Sequence, residues 1–204
     1  MKTPMTGRQI TRASKQLSWL LRHGAGEVGL EMDAAGWCRV DDVLGHVRID
    51  AAQLLRVVER NNKSRLQLDH GRIRASQGHS TTGMPVTQDA LEASWTRFTG
   101  TGPIWHGTQV RAAFSILASG ILPAARTHVH LAAETDSVVG KRTNVGVMLG
   151  VDPQRMSAHG FGVFVSPNGV LLAREVPADC IVEIQCISRK AKACENALRR
   201  AQVI

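Results

Sequence analysis

The chain has 204 residues, of which 43% are hydrophobic and 21% are charged, so it can form one large domain or two small lobes with their own cores. It contains no run of about 18 apolar residues, and its first residues lack the apolar segment of a signal peptide. We therefore expect a cytoplasmic protein without a membrane span. The net charge of +8 favours a polyanionic partner, because Lys and Arg bind phosphates and release counterions, although solubility alone would also explain it.

The first part of the chain reads as three helices and a hairpin. Apolar residues at helical spacing predict a helix over residues 8–23 that Gly24 can end. The stretch "GWCRVDDVLGHV" predicts a short extended piece and a second helix, and Asp50 is the expected N-cap of a third. In "RLQLDHGRIRA" two alternating arms flank turn residues, which predicts a β-hairpin. Three helices followed by a basic hairpin predict a winged-helix lobe over residues 1–82.

A linker is expected over residues 83–102, where Thr, Gly, Ser and Pro are frequent. Beyond it, "IWHGT" predicts a strand, "QVRAAFSILASGIL" a helix that ends at Gly120, and four later stretches predict further short strands. Residues 103–204 therefore form a mostly β lobe, and the fold class is α+β. The last 18 residues predict a basic helical tail, which we expect to be solvated rather than bound to nucleic acid.

The segment "GAGEVG" at 24–29 satisfies the G-x-G-x-x-G pattern of dinucleotide-binding folds. That motif works only between a strand and a helix, because the pyrophosphate must meet a helix N-terminus. Here a predicted helix precedes the motif and irregular sequence follows it. The context therefore argues against a Rossmann site.

Arg22 and His23 close the first predicted helix. Cations in a last helical turn are favoured by the helix dipole, so the pair by itself needs no further function. Further basic residues occur beside small residues that allow a ligand to approach the backbone, namely Lys63, Arg65, Arg74 and His79. Guanidinium groups bind phosphate through two parallel hydrogen bonds, so the whole set predicts an anion-binding surface.

Cysteine and histidine positions give little support for a metal site. The four cysteines form no C-x-x-C pair, which predicts reduced structural thiols. His106, His128 and His130 suggest zinc, since H-x-H on a strand places both rings on one face. Neither stretch contains a neighbouring Asp, Glu or Cys within the motif itself, so we expect no metal.

Eight short motifs in order carry a family resemblance. They are "LLRHGA", "GLEMDAAGW", "NNKSR", "IRASQGHS", "IWHGT", "GILPAARTHVHLA", "VVGKRTNVGVMLGVD" and "FVSPNGVLLA". Through them the chain resembles the NAD-dependent RNA 2′-phosphotransferase family over about residues 8–182. The resemblance implies a winged-helix lobe and an ADP-ribosyltransferase-like lobe that binds NAD.

The resemblance also implies a reaction. The family removes the internal 2′-phosphate that tRNA ligation leaves at a splice junction. The RNA 2′-phosphate first displaces nicotinamide from NAD, and the ribose 2″-hydroxyl then attacks that phosphate, which gives 2′-OH RNA and ADP-ribose 1″,2″-cyclic phosphate. NAD is consumed as a co-substrate, the partner is RNA, and we expect a monomer.

The site residues follow from the same motifs, position by position. The resemblance implies that Arg22, His23, Arg65 and Arg142 are catalytic. It assigns the NAD site to five further residues, which are His106, Gly107, Thr108, Arg126 and His130. Lys63, Arg74 and His79 are expected to bind RNA. The role of His23, in proton transfer or in phosphate orientation, stays open.

Two departures from the family pattern concern Trp105, where Tyr is usual, and Leu66, where Phe is common. Val170 lies where protein-modifying ADP-ribosyltransferases carry a Glu, which argues against protein side chains as acceptors. Two other functions remain open at this point. One is an ADP-ribosyltransferase that caps terminal phosphates of RNA or DNA, and the other is a nucleic-acid binder with an inactive second lobe.

Overall fold

The structure, a computed structural model, describes residues 5–61, 63–137 and 145–202. The chain divides into two compact units, Met1–Ser94 with Ala125–Thr127 and Trp95–Ala124 with His128–Ile204. Both units combine helices with small antiparallel sheets. The predicted α+β fold class is confirmed at this level.

The helices of the first unit begin at polar caps. Helix α1 (Gly7–Trp19) starts at Thr6, whose side chain and that of Gln9 form a reciprocal capping box, and it continues into a π-helical turn at Leu20–Gly24. Helix α2 spans Val40–His46 and α3 spans Ala51–Glu59. Asp50 caps α3 as predicted, with its carboxylate accepting from the Gln53 N–H at 2.9 Å.

The first unit also contains a three-stranded sheet in the order β1-β3-β2. Its strands are β1 (Cys38–Arg39), β2 (Leu66–Asp69) and β3 (Arg72–Ala75). The β2–β3 hairpin is confirmed, and its turn places His70 and Gly71 at φ of 44° and 76°. Positive φ at both central positions is the geometry that matches the twist of a tight hairpin.

The core of the first unit lies between α1, α3 and the hairpin. Leu17, Leu21 and Leu54 are essentially inaccessible, as is Ile73 of the central strand. Two of these come from the apolar stripe that the sequence predicts on the first helix. That stripe faces the core and leaves the opposite, polar side of α1 exposed.

Residues 83–102, expected to form a linker, contain regular structure. Helix α4 (Gln88–Ala93) is capped by Thr87, and strand β4 covers Thr96–Arg97. The Gln88 side chain donates to the carbonyl oxygen of Thr127 at 2.7 Å within the first unit. The division between the units therefore falls inside this stretch, after Ser94.

The second unit contains two sheets, in the orders β10-β7-β5 and β4-β8-β9-β6. Their remaining strands are β5 (Ile104–Thr108), β6 (Val129–Leu131), β7 (Val147–Val151), β8 (Phe164–Val165), β9 (Leu171–Ala173) and β10 (Ile181–Cys186). The predicted strands are thus present. Central β7 is buried along its whole length and pairs with β10 and β5.

The helices of the second unit pack against these sheets. They are α5 (Val110–Ser119), which is followed by Gly120 at φ 81° as predicted, α6 (Pro153–Ala158), α7 (Arg189–Ala193) and α8 (Glu195–Ala201). The tail is helical as predicted but not wholly solvated. Ala191 and Leu198 are fully buried in the unit's core, and the basic residues of α7 and α8 lie on their exposed sides.

Two further expectations concern the whole chain. All four cysteines are free thiols, in agreement with the prediction, and burial raises the pKa of Cys38 to about 12 and that of Cys180 to about 11. Among the described residues, no helix has the length and apolar character needed to cross a membrane.

Candidate functional site

The end of the first helix forms a π turn, in which hydrogen bonds close over five residues instead of four. Trp19 and Gly24 are five positions apart and so lie one π turn apart on the same face. A Cβ on residue 24 would lie 2.6 Å from two carbon atoms of the Trp19 ring. The indole therefore packs directly on the Gly24 backbone, which only glycine permits.

Arg22 lies in the middle of this π turn, with a mostly buried guanidinium group. Its Nε and Nη2 atoms are buried and have no hydrogen-bond partner within the described residues. Burial, followed by the charges of Arg65 and Arg126, lowers its pKa from 12.5 to about 10. The group is still charged at neutral pH, and these two donors lack a partner within the described residues.

His23 is exposed and is oriented by Ser80. Its Nδ1 lies 2.7 Å from the Ser80 hydroxyl, and the Ser80 N–H donates to the carbonyl oxygen of Arg22 at 2.9 Å. Partial burial and the charges of Arg22 and Arg126 lower the pKa of the imidazole. A neutral imidazole at neutral pH can accept or pass on a proton, and an anion beside it would raise its pKa again.

Arg65 comes from the loop between α3 and β2, which Asn61 holds. The Asn61 side chain accepts from the Arg65 N–H at 3.3 Å and donates to the Ser14 hydroxyl on α1 at 3.2 Å. The carbonyl oxygen of Arg65 accepts from the Ser76 N–H at 2.8 Å. The loop is thus fixed to both α1 and the end of the hairpin.

Arg126 reaches the same place from a distant part of the sequence. It forms an isolated bridge with Ser80, and the neighbouring Thr127 N–H donates to the carbonyl oxygen of His79 at 3.0 Å. Its charge lowers the pKa of both Arg22 and His23. The resemblance implies a role for Arg126 with NAD, whereas within the first unit its charge adds to the basic cluster.

A groove of about 280 Å³ opens beside these residues. The described residues that line it include no carboxylate and are Ser14, Lys15, Ser18, Trp19, Arg22, His23 and Arg65. Two guanidinium groups, an ammonium and an imidazole converge on it without neutralising partners in the lining. Such a site stabilises a dianion, through charge-assisted hydrogen bonds worth about 1.5–3 kcal/mol each.

Four of the lining residues were not singled out in the sequence, although a signal was available. Ser14, Lys15, Ser18 and Trp19 recur at spacings of three and four, and Arg22 continues the series. They form the polar side of α1 opposite its apolar stripe. A polar stripe on an amphipathic helix is ordinary surface until a second element brings charge beside it, as the Arg65 loop does here.

The structure does not support RNA contacts for two of the three residues proposed for that role. Arg74 is only 4% exposed, donates to the Gln67, Ala35 and Ser94 oxygen atoms, and lies over the Trp37 ring. His79 is fully buried. Both are held within the protein, whereas Lys63 stays partly exposed beside the Arg65 loop.

The residues expected to bind NAD lie mainly on β5 of the second unit. His106 is partly exposed, and its Nδ1 lies 3.1 Å from the carbonyl oxygen of His130. Gly107 and Thr108 are buried, and a Cβ on residue 107 would lie 2.8 Å from a Val145 methyl carbon. Arg142, the fourth expected catalytic residue, lies outside the described residues.

The geometry of β5 is compatible with a carboxamide ligand. Trp105 exchanges two hydrogen bonds of 2.8 Å with Ala132 across the edge of β5 that faces away from β7. Alternation along a strand directs the N–H and C=O groups of Gly107 to that same edge. A primary amide such as that of nicotinamide needs this pairing of one donor and one acceptor, so the residues fit NAD.

The metal and Rossmann alternatives can also be compared with the structure. Among the described residues, the three histidines considered for zinc form no group close enough to share an ion. His128 instead packs edge-on against Trp95, with ring centroids 4.9 Å apart. The ligand atoms of His159, Asp179 and Cys180 do lie within 4.8 Å of one another, but His159 Nε2 already contacts the Asp179 carboxylate at 2.8 Å.

The "GAGEVG" segment follows the π turn rather than a strand, and no helix begins directly after it. Gly26 instead donates its N–H to the carbonyl oxygen of Gly83 at 3.1 Å. A Cβ there would lie 2.2 Å from that oxygen. Gly26 thus serves close backbone packing, and the segment lacks the strand and helix that a Rossmann motif needs.

Comparison with known proteins agrees with the sequence motifs. The model of the family described as "RNA 2′-phosphotransferase, Tpt1 / KptA family" matches residues 8–175. A protein named "Probable RNA 2′-phosphotransferase" from Burkholderia lata is 40% identical over 90% of this chain and 95% of its own length. Proteins of the same name from Pseudomonas fluorescens and Acaryochloris marina are 38% and 36% identical, over 87% of this chain and 98% and 99% of theirs. The chain therefore belongs to the RNA 2′-phosphotransferase family.

Proposed function

We propose that this protein is an NAD-dependent RNA 2′-phosphotransferase that removes an internal 2′-phosphate from RNA, with spliced tRNA as the substrate class. The observation that carries the proposal is the groove beside the π turn, where Arg22, His23 and Arg65 converge without a carboxylate in the described lining. A phosphate monoester is a compact dianion at neutral pH. Its charge complements that of the groove, which has room for it.

The two units correspond, in this proposal, to the two lobes that the family resemblance implies. The first unit, with three helices before a hairpin, is a winged-helix RNA-binding lobe. The second, with its two antiparallel sheets, is an ADP-ribosyltransferase-like lobe. We also propose that the protein acts as a monomer.

The basic groups have separate tasks in the reaction. Arg22 presents its guanidinium group to the 2′-phosphate, and Arg65 adds a second guanidinium from a loop that Asn61 fixes. Negative charge on the phosphoryl oxygens increases when the phosphorus exchanges partners, and preorganised cations stabilise that charge. His23, held by Ser80, either orients the phosphate or moves a proton. Arg142 is proposed to complete the cationic set.

NAD, when bound, supplies the ribose carbon that accepts the phosphate and the nicotinamide leaving group. His106, Gly107, Thr108 and His130 are proposed to hold it on the second unit. The Gly107 backbone at the edge of β5 would pair with the carboxamide. The His106 imidazole keeps its orientation through the His130 carbonyl oxygen.

The proposal is tested with NAD and an oligoribonucleotide that carries one internal 2′-phosphate. We expect nicotinamide, 2′-OH RNA and ADP-ribose 1″,2″-cyclic phosphate, identified by mass spectrometry. Arg65→Gln should be slower by about 10²–10³-fold, as for loss of one oxyanion donor. Arg56→Gln, which changes an exposed Arg on α3, is the matched control and should retain full activity.

Other products would identify other functions. Stable ADP-ribosylated RNA without the cyclic phosphate would show a capping ADP-ribosyltransferase. RNA binding without NAD consumption would show a nucleic-acid binder. Either result would refute the proposal of a 2′-phosphotransferase.

A further inference from the structure

Trp19 is an aromatic residue whose exposure needs an explanation. It is 46% exposed, although a Trp usually buries most of its large apolar surface. Single exposed apolar residues are common on protein surfaces and need no function. Trp19 differs because it lines the basic groove together with Arg22 and Arg65.

The indole is also held in a defined position. The π turn stacks it on Gly24, where the ring occupies the space that any Cβ would need. Its backbone belongs to a helix whose other side is anchored in the core by Leu17 and Leu21. A rigid, partly exposed ring beside a phosphate site provides a stacking surface at little entropic cost.

The chemistry of an RNA 2′-phosphate indicates what would lie on that ring. The phosphate is attached at C2′ of the ribose, and the base is attached at the adjacent carbon, C1′. A nucleotide whose 2′-phosphate sits between Arg22 and Arg65 therefore carries its base within a few bonds of the groove. Trp19 precedes Arg22 by three residues, so both side chains lie on the same side of the helix and line the same groove. Helical neighbours at this spacing have Cβ atoms about 5–6 Å apart, a distance that a ribose and its base can span.

We infer that Trp19 is a base-stacking residue for the nucleotide that carries the 2′-phosphate. This inference rests on the proposed function, because it needs a single-stranded RNA nucleotide in the groove. Stacking on an aromatic ring is tolerant of sequence, since every base has a π face. The enzyme would thus require a base at this position without requiring a particular one.

The test compares two labelled oligoribonucleotides with the same internal 2′-phosphate, one of which lacks the base at that nucleotide. Binding is measured by fluorescence anisotropy without NAD. The wild-type protein should bind the complete oligonucleotide about tenfold more tightly than the abasic one. Trp19→Ala should bind both equally, and Trp19→Phe should restore most of the preference. Leu55→Ala, at another exposed apolar residue, should behave as wild type.

Each outcome has one meaning. Equal binding of both oligonucleotides by the wild-type protein, or a base preference that survives in Trp19→Ala, overturns the stacking role. If Trp19→Ala does not fold, Trp19→Leu keeps an apolar side chain on Gly24 without a π face and gives the same comparison. Failure of the proposed function is seen separately, as absence of NAD consumption or absence of preference for 2′-phosphate over 2′-OH RNA.

Discussion

The charge of Arg22 should cost the protein stability, so that its removal makes the fold more stable and the enzyme inactive. The pKa of Arg22 falls from 12.5 to about 10 through burial and two neighbouring arginines. At about 1.4 kcal/mol per pH unit, the fold disfavours the charged form by on the order of 3 kcal/mol. Water reaches part of the side chain and screens this cost, so we expect Arg22→Met to stabilise the protein by about 1–2 kcal/mol. Met keeps an unbranched apolar chain and removes the guanidinium group with its charge and donors.

The assay combines thermal unfolding with turnover. For a chain of this size, 1 kcal/mol shifts Tm by about 2–4 °C, so the variant should melt about 2–8 °C higher. Phosphate should raise the Tm of the wild-type protein but not that of the variant, because only the former binds the anion. Turnover should fall about a hundredfold or more. Arg12→Met, at an exposed Arg on the same helix, should change neither property.

A lower Tm for Arg22→Met, in parallel with the loss of activity, would refute this reasoning. It would mean that the guanidinium makes stabilising contacts within the fold and merely completes the helix. The dipole explanation that the sequence allows for Arg22 and His23 would then be sufficient.

Three further predictions follow from the same geometry. Burial, followed by the charges of Arg22 and Arg126, lowers the pKa of His23, so the folded protein loses stability as pH falls through that pKa. A bound 2′-phosphorylated dinucleotide should raise this pKa in an NMR titration, and an unchanged pKa would place the phosphate elsewhere. Gly26→Ala should destabilise by about 1–3 kcal/mol because its Cβ would meet the Gly83 carbonyl oxygen, whereas Gly45→Ala in open space on α2 should stabilise by about 0.5–1 kcal/mol, and equal melting curves would contradict this. Leu198→Ala should lower the free energy of unfolding, measured with denaturant, by about 2–5 kcal/mol. A negligible change would support the original expectation that the tail is solvated.

The elements that the sequence predicted are those whose signal is local. The apolar stripe of α1, the Asp50 cap and the hairpin turn at His70 each depend on residues a few positions apart. The Arg22–His23 pair stands out in the sequence because its motif is contiguous, and its role stays a prediction. What could not be predicted is the π turn that carries it, since "LLRHG" has ordinary helical composition.

The failures come from contacts between distant residues. Arg74 follows inward-facing Ile73 on β3, and alternation predicts that it faces water. Instead Ser94 and Trp37 cover that side of the sheet and bind its guanidinium group. The contribution of Arg126 to the first unit depends on its β-bridge to Ser80, which lies 46 positions earlier. No local sequence pattern predicts such a pairing.

That bridge also bears on how the polypeptide can be divided and synthesised. The segment Ala125–Thr127 belongs to the first unit. The chain therefore leaves that unit after Ser94, returns to it for three residues and leaves it again. A fragment that stops at Ser94 would lack one of its own cations, so the two halves cannot be separated by a single cleavage. During synthesis, Arg126 emerges from the ribosome more than thirty residues after Ser94. The basic cluster would therefore be complete only once part of the second unit has been made.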